Sequence, residues 1–566
     1  MDYICDIKTR NELADFLDIP RKKLTYILYV KGVDNLYKSF DIPKKSGDNR
    51  HINSPTKDLK DIQEKLANAL TTYERKIWEE KQITPNISHA FEKDKSFITN
   101  AKVHRNKKFV FNIDLENFFD SFHFGRIVGY FNKNHNFLLP KEVATVIAQL
   151  ACYKGKLPQG GPCSPIITNL ICNIFDIRLL KLAKKYKMDY TRYADDLTFS
   201  TNNNKFLDFK DNFYNELILE INNSGFKVNS NKTRLQYKNS RQEVTGIIVN
   251  KKLNVKREYY KKTRAMAYQL YKTGEFFIEK DIKGTINQLE GRFSFINQLE
   301  EYNNKIDTKI KKHNFENLSS KEKTYSQFIF YKYFFANLKP LIITEGKTDI
   351  VYLKAALKNL YKEYPKLIHK NENGQFEYKV FFLNRNARIS HFLNLKEYGA
   401  NSMNNIYKFF SNQGGKKYPN YIEIFKKLSQ KDPKNPVILL FDNELQNNKK
   451  PIYNFVKDKL SIEEKSYFNS NLWIKLKSNL YLSMTPLIED QEESEIEDLF
   501  TKETLSHKIN AKEFCKSNDY DKSKFYGKER FSQFIMNNYQ EIDFSNFKPL
   551  LNNIKDICEN YEVELH

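Results

Sequence analysis

Tyr193-Ala194-Asp195-Asp196 places two carboxylates side by side between two strand-like runs, Asp189–Tyr193 and Leu197–Ser200. Adjacent carboxylates repel, and a fold keeps them together most easily where a cation joins them. Asp114 closes another apolar run, Phe109-Val-Phe-Asn-Ile113, so a third carboxylate stands at a strand end. Together the three make an all-oxygen set suited to two Mg²⁺ ions. Such a pair activates an attacking hydroxyl and stabilises a leaving pyrophosphate in an in-line displacement. Taken singly, Asp195-Asp196 reads equally as a solvated turn and Asp114 as a helix cap. Between them lies Lys156-Leu-Pro-Gln159-Gly160-Gly161-Pro-Cys-Ser-Pro165, followed by Asn169. A glycine-rich turn before a helix lets backbone approach a base pair or phosphate closely.

A second constellation begins at Leu341-Ile-Ile-Thr-Glu345-Gly-Lys-Thr-Asp349, a glutamate between a short strand and a helix. Val437-Ile-Leu-Leu-Phe-Asp442-Asn-Glu444 puts two more carboxylates after a later strand. In a parallel sheet the C-terminal strand ends converge on one crevice, so Glu345 can meet Asp442 and Glu444 around Mg²⁺. The alternative makes Glu345 and Asp349 helix-terminal charges and Asp-Asn-Glu a strand cap. The loop Asn412–Lys417 could touch phosphate or be an ordinary surface turn.

The elements that position these residues change character along the chain. Residues 1–110 are helical and basic, with Leu59, Ile62, Leu66 and Leu70 at helical spacing and a turn-rich loop from Lys44 through Lys45 and Arg50 to Pro55. Residues 110–250 carry the strand runs, including Val244–Val249. A basic helical stretch opens with Lys251, Lys252, Lys256 and Arg257, and the polar segment His313–Lys323 reads as a linker. After Leu338, the apolar runs 341–343, 379–383 and 437–441 alternate with helices, as in a parallel sheet covered on both faces. An acidic patch follows between Glu489 and Asp498, including Asp490.

The whole chain, 566 residues with 40% hydrophobic and 14% aromatic content, is long and apolar enough for several packed domains. Its charge is +23, and it is unevenly spread. Residues 1–340 hold 59 basic and 39 acidic side chains, a surplus of 20; the remainder holds 34 and 31, a surplus of 3. A polyanion is therefore expected on the first part. No apolar run approaches the ~18–20 residues of a membrane span, so no membrane partner is expected. Met1–Asp6 lacks the basic and apolar regions of a signal peptide. Six cysteines without a CxxC pair read as reduced thiols, and the expected compartment is the cytoplasm.

The order strand-Asp114, Pro-Gln-Gly loop, Tyr-Ala-Asp-Asp hairpin resembles the palm motifs of reverse transcriptases. Asn100-Ala101-Lys-Val-His104 and Val244-Thr245-Gly246 resemble two further motifs that mark retron reverse transcriptases. The resemblance implies an α+β right-hand polymerase with fingers at 1–110, palm at 110–250 and thumb at 251–315. It makes Asp114, Asp195 and Asp196 the catalytic ligands of two Mg²⁺. Arg50 would clamp the dNTP triphosphate, Gln159 and Gly160 would line the nucleotide, and Phe119 would exclude a ribose 2′-OH. Lys232 could protonate pyrophosphate or be a surface lysine. RNA contacts would fall on Asn100, His104, Val244, Thr245, Gly246, Lys256 and Arg257. The family copies a structured non-coding RNA into branched, RNA-linked DNA, primed from a guanosine 2′-OH.

Beyond a linker at 316–338, residues 339–450 resemble the α/β Toprim core, with an associated region at 451–566. That resemblance implies one or two Mg²⁺ at Glu345, Asp442 and Glu444, with Glu345 catalytic, although Glu444 stands where the Toprim family usually has Asp. Ile496–Phe500 and Tyr526-Gly527-Lys528 resemble nuclease-type Toprim segments. The combined expectation is a retron polymerase with a nuclease effector for anti-phage defence, acting on nucleic acid and compatible with a homo-oligomer. Two alternatives stay open. One is a group II intron or diversity-generating reverse transcriptase, against which stand Val-Thr-Gly and the lack of a Cys/His zinc-nuclease pattern. The other is a Toprim half that serves only as a binding platform.

Overall fold

A computed structural model describes every residue except 1–2, 44–46, 48, 85, 307–314, 398, 490, 518 and 566. Lys44 and Lys45 of the basic loop, His313 of the expected linker and Asp490 of the acidic patch therefore lie outside the described residues. The chain forms two compact units, residues 1–256 and 257–566.

In the first unit, strands β1 (Tyr37–Pro43) and β2 (Asn49–Pro55) pair as an antiparallel ribbon. The helix Lys57–Glu80 follows and buries Leu59, Ile62, Leu66 and Leu70, the face its spacing predicts. The central sheet contains β3 (Phe109–Asp114), β4 (Asp189–Tyr193), β5 (Asp196–Thr201) and β6 (Arg234–Tyr237) in the order β4-β5-β3-β6. Every pairing is antiparallel, and the β3–β5 register sets Asp114 directly opposite Asp196. The helix Phe206–Asn223 covers one face, where Phe213 meets Phe199 and Phe111 edge-on at 5.2 and 6.2 Å. The helix Ser164–Lys185 is buried all round over Ile166–Cys172 and then on one face only, through Phe175, Leu179 and Leu182, with Ile174 and Ile177 exposed. A short hairpin, β7 (Glu243–Val244) and β8 (Ile247–Ile248), ends the unit.

The second unit holds a five-stranded sheet in the order Phe381–Phe382, Leu341–Ile343, Val437–Phe441, Leu480–Met484, Trp473–Lys477. The first four strands are parallel and the last is antiparallel. Alternate residues feed two separate cores, as strand geometry requires. Leu341, Ile343, Leu439, Phe441 and Leu482 face one, and Ile342, Ile438, Leu440 and Tyr481 face the other.

Three sequence-based boundaries are corrected here. The expected linker 316–338 contains the helix Ser320–Phe330 and a π-helical turn Tyr331–Phe335, with Phe328, Ile329, Phe330 and Phe334 fully buried. Its polar start is a capping box, in which Ser319 accepts from Glu322 N and Glu322 accepts from Ser319 N. The basic helix Arg257–Thr273 and the helix Ile286–Ile306, which carries more acids than bases, contribute Leu270, Tyr271, Leu289 and Phe293 to the same core as Leu341 and Phe441. The division at residue 450 cuts the sheet, because two of its strands come from beyond it.

Candidate functional site

The β4–β5 turn is tight enough to force Ala194 into a left-handed backbone (φ 55°), which aims Asp195 and Asp196 at the end of β3. The Leu115 amide donates to the Asp195 carbonyl at 3.0 Å and the Asn229 amide to the Asp114 carbonyl at 2.8 Å, so all three carboxylates sit on hydrogen-bonded backbone. Burial raises the pKa of Asp195, helped by Asp114 and opposed by the charges of Lys232 and Arg50. Burial, then Asp195 and Asp114, push Asp196 to about 7. The Lys232 ammonium holds both Asp114 oxygens, at 3.1 and 3.0 Å, and that hydrogen bond raises its own pKa. Hard oxygens whose charges oppose one another are the donor set Mg²⁺ takes. They are neighbours on the sheet rather than a closed cage: among the described residues no group of three or more His, Cys, Asp or Glu side chains is drawn together closely enough to hold a metal ion.

Beneath the hairpin lies a support that sequence reasoning missed. Arg192 is 0% exposed and makes a two-point contact with Asp176, Nε to Oδ1 at 2.9 Å and Nη2 to Oδ2 at 2.8 Å. The same guanidinium reaches Asn169 Oδ1 at 3.2 Å and the Ala194 carbonyl at 3.4 Å, linking the helix after the glycine loop to the catalytic turn. A buried charge left without such a partner would be strongly destabilising. The available signal was an arginine between Thr191 and Tyr193, in the strand that leads straight into the Asp-Asp turn.

The nucleotide-side residues are placed as follows. Arg50 is exposed on β2, and its charge acts on Asp195. Gln159 accepts a 2.8 Å hydrogen bond from the Asn53 amide, and Gly160 has φ 116°. A Cβ on Gly160 would stand 2.9 Å from the Asn53 carbonyl, so the close approach the glycine permits is to β2. Phe119 is half-buried and meets Phe118 edge-on at 5.5 Å.

Three expected RNA contacts are corrected. Asn100, on the helix Phe97–Val103, and His104, which caps its C-terminal end, are both 0% exposed. His104 binds Ser200 and Thr191 hydroxyls at 2.7 Å each, and Thr191 in turn donates to Asn100 at 2.5 Å. Burial drives the His104 pKa down to about 3, so it is a neutral structural histidine. Val244 is also fully buried, whereas Thr245 and Gly246 form the β7–β8 turn with φ 46° and 85°. The Thr245 hydroxyl donates to the Phe97 carbonyl at 3.3 Å, so the two distant motifs meet. The turn also lines a cleft of about 310 Å³ with Asp114, Asp196, Lys232 and Arg234. Lys256 pairs with Glu243 at 2.7 Å, and Arg257 is exposed.

In the second unit the parallel sheet brings Glu345 and Asp442 together: Glu345 Oε1 accepts from the Asp442 amide at 3.1 Å. Asp442 accepts from the Ile496 amide at 3.1 Å. Burial first, with Glu444 and Asp349 adding repulsion, pushes Glu345 to about 7. Burial and Glu345 raise Asp442 well above its usual range. Glu444 is ion-paired with Lys450 and is absent from the residues lining the cleft, so it joins this centre through its charge alone. Three more carboxylates stand beside this pair: Asp349, read in the sequence as a helix-terminal charge, and Glu495 and Glu497, read as parts of the acidic patch and of a Toprim-like segment rather than as ligands. Asp349 accepts from the Gly346 amide at 2.7 Å, and Glu495 and Glu497 share Lys528 at 3.1 Å each. Burial pushes Glu497 to about 7. The cleft is about 1050 Å³, with acids at its floor and Lys512, Lys516, Lys522 and Arg530 among its lining. This oxygen-rich floor also fits a divalent cation.

No described helix is long and apolar enough to cross a membrane, and the six cysteines are free thiols. Residues 42–251 match the model of the reverse transcriptase (RNA-dependent DNA polymerase) family. The retron Ec86 reverse transcriptase of Escherichia coli is 33% identical over 46% of this chain and 78% of its own length. The retron Mx162 reverse transcriptase of Myxococcus xanthus is 31% identical over 44% of this chain and 54% of its own. Among solved structures, telomerase from Candida albicans is similar at a TM-score of 0.31 and 12% identity, over 52% of this chain and 60% of that one. With the carboxylates registered across β3 and β5, and a relative matched over most of its length, the chain belongs to the retron reverse transcriptases, RNA-directed DNA polymerases that use divalent metal in the palm.

Proposed function

We propose that Asp114, Asp195 and Asp196 hold two Mg²⁺ for copying a cognate structured RNA into branched, RNA-linked DNA. The observation that carries this reading is the register of Asp114 against Asp196 across adjacent strands. When bound, the metal lowers the pKa of the attacking hydroxyl and neutralises charge on the departing pyrophosphate. The side chains supply the rest. Arg50 holds the triphosphate, Phe119 occupies the space of a 2′-OH, and Gln159 with Gly160 supports the nucleotide. Lys232, kept protonated beside Asp114, delivers its proton to pyrophosphate. Thr245 and Gly246 line the cleft with Asp114 and Asp196, and Lys256 and Arg257 grip RNA backbone. The decisive test is Asp195→Asn and Asp196→Asn in a primer-extension assay with RNA template and dNTPs. Loss of synthesis in a folded protein supports the assignment, and normal synthesis overturns it.

The second unit is read as a Toprim-type nuclease whose Mg²⁺ is held by Glu345 and Asp442, restrained by the branched DNA and released on phage infection. The convergence of Glu345 on the Asp442 amide supports it. The engagement of Glu444 with Lys450 favours the rival reading, a non-catalytic binding platform. Glu345→Ala and Asp442→Ala separate the two: continued protection of cells by the double variant would leave the platform.

A further inference from the structure

The cleft of the second unit that holds Glu345 and Asp442 does not end at its rim. The helix Lys528–Asn537 begins in the cleft, where Lys528, Glu529 and Arg530 line it, and continues beneath a separate groove of about 540 Å³. Arg530 lines both spaces; Gln533, Phe534 and Asn537 line only the groove, and their spacing puts them on one helical face with Arg530. From Lys528 to Asn537 the helix rises about 14 Å.

The opposite wall also joins the two spaces. Ile509, in the groove, and Lys512, in the cleft, exchange backbone hydrogen bonds at 3.1 Å each. Tyr526, a cleft residue, donates its hydroxyl to the His507 carbonyl at 2.6 Å. That anchor sets an exposed imidazole in the groove, stacked on Phe534 with centroids 3.9 Å apart and planes at 10°. One face of His507 is therefore fixed against Phe534, while the exposed residue offers the other. Asn510 and Asn538 complete the groove with amide groups.

We propose that cleft and groove form one track for a single-stranded nucleic acid, with an unpaired base stacked on His507. The backbone passes Arg530 towards the carboxylate floor. Cations beside a fixed ring plane are how strands are held without reading sequence, and the ring face is accessible only to a base not stacked in a duplex. Amides around the ring match base edges, which carry both donors and acceptors. This inference rests on the nuclease reading of the cleft and names its substrate class.

The test is photocrosslinking to the full-length protein without added metal, with products mapped by mass spectrometry. The probes are a 12-nucleotide DNA carrying one 5-iododeoxyuridine, the RNA of the same sequence carrying 5-iodouridine, and the corresponding DNA duplex. A crosslink within residues 507–538 from either single strand, absent from the duplex, supports the track, and the relative DNA and RNA yields identify the strand. His507→Ala should lower that crosslink about fivefold to a hundredfold, the range of one lost stacking contact, while His507→Phe should retain it. Both variants are at an exposed position, and an unchanged melting midpoint verifies folding. Equal labelling by the duplex, or no labelling of 507–538, overturns the track. Asp442→Asn separates the two readings: a crosslink that persists while nuclease activity is unaffected by this change supports the track and removes the nuclease assignment. Cleavage that Asp442→Asn abolishes, with no groove crosslink from either single strand, does the reverse.

Discussion

Asp196 is held where ionisation is opposed by burial and by two carboxylates, so its negative charge is useful only when a cation answers it. Asp195→Asn should lower Mg²⁺-dependent DNA synthesis at least about a hundredfold, the scale of losing one preorganised electrostatic group, with RNA binding retained in a filter assay. These carboxylates were legible because their chemistry is written in residue type and strand-end position. Arg192 and Asp176 were not, because neither betrays its burial until the strand and helix are packed. His104 was legible as a motif member but misplaced, since a histidine with two hydroxyl partners looks the same in sequence as one facing RNA. Its pKa falls from 6.5 in the unfolded chain to about 3 in the fold. Its contribution is therefore fully present above pH 6.5 and is lost as pH falls towards 3, by about 1.4 kcal/mol per pH unit. Lowering the pH from 7.5 to 5.5 should cost the wild type more stability than His104→Gln, as measured by urea denaturation at each pH.

At the scale of elements, the glycine loop and β2 depend on each other. Gly160→Ala would combine a disfavoured φ of 116° with a Cβ 2.9 Å from a carbonyl, costing about 1–3 kcal/mol. A lower melting midpoint and reduced DNA synthesis should accompany one another, whereas an unchanged midpoint would mean the loop can move away from β2. Helix 57–80 was readable because its apolar residues recur with the helical period. The helix Ser320–Phe330 was not: it starts with the polar residues of its cap and then runs into Tyr325–Phe335, where aromatics on all sides hide any period. The parallel strands were visible as apolar runs, but Leu480–Met484 was missed because a polar serine interrupts it, although Ser483 is fully buried.

At the scale of the molecule, the two acidic centres belong to different compact units and should be separable. On the proposed nuclease reading, Glu345→Ala or Asp442→Ala should abolish protection of cells against phage while leaving the yield of DNA synthesis on a denaturing gel at the wild-type level. Asp195→Asn should remove the DNA itself. A chain ended near residue 318 should be poorly soluble, because Tyr325, Phe328 and Phe334 fill the core that Leu270 and Phe293 also enter; sedimentation of the soluble fraction would show it. That shared core has a consequence for how such proteins can be recombined. The helices of 257–306 travel with the sheet bearing Glu345, so a chimera that exchanges second units between relatives keeps every core whole when spliced at residues 256–257, and splits one of them when spliced at 318. Whatever the cationic face of Arg257–Thr273, with Lys261, Lys262 and Arg264, binds is then inherited with the second unit and not with the palm.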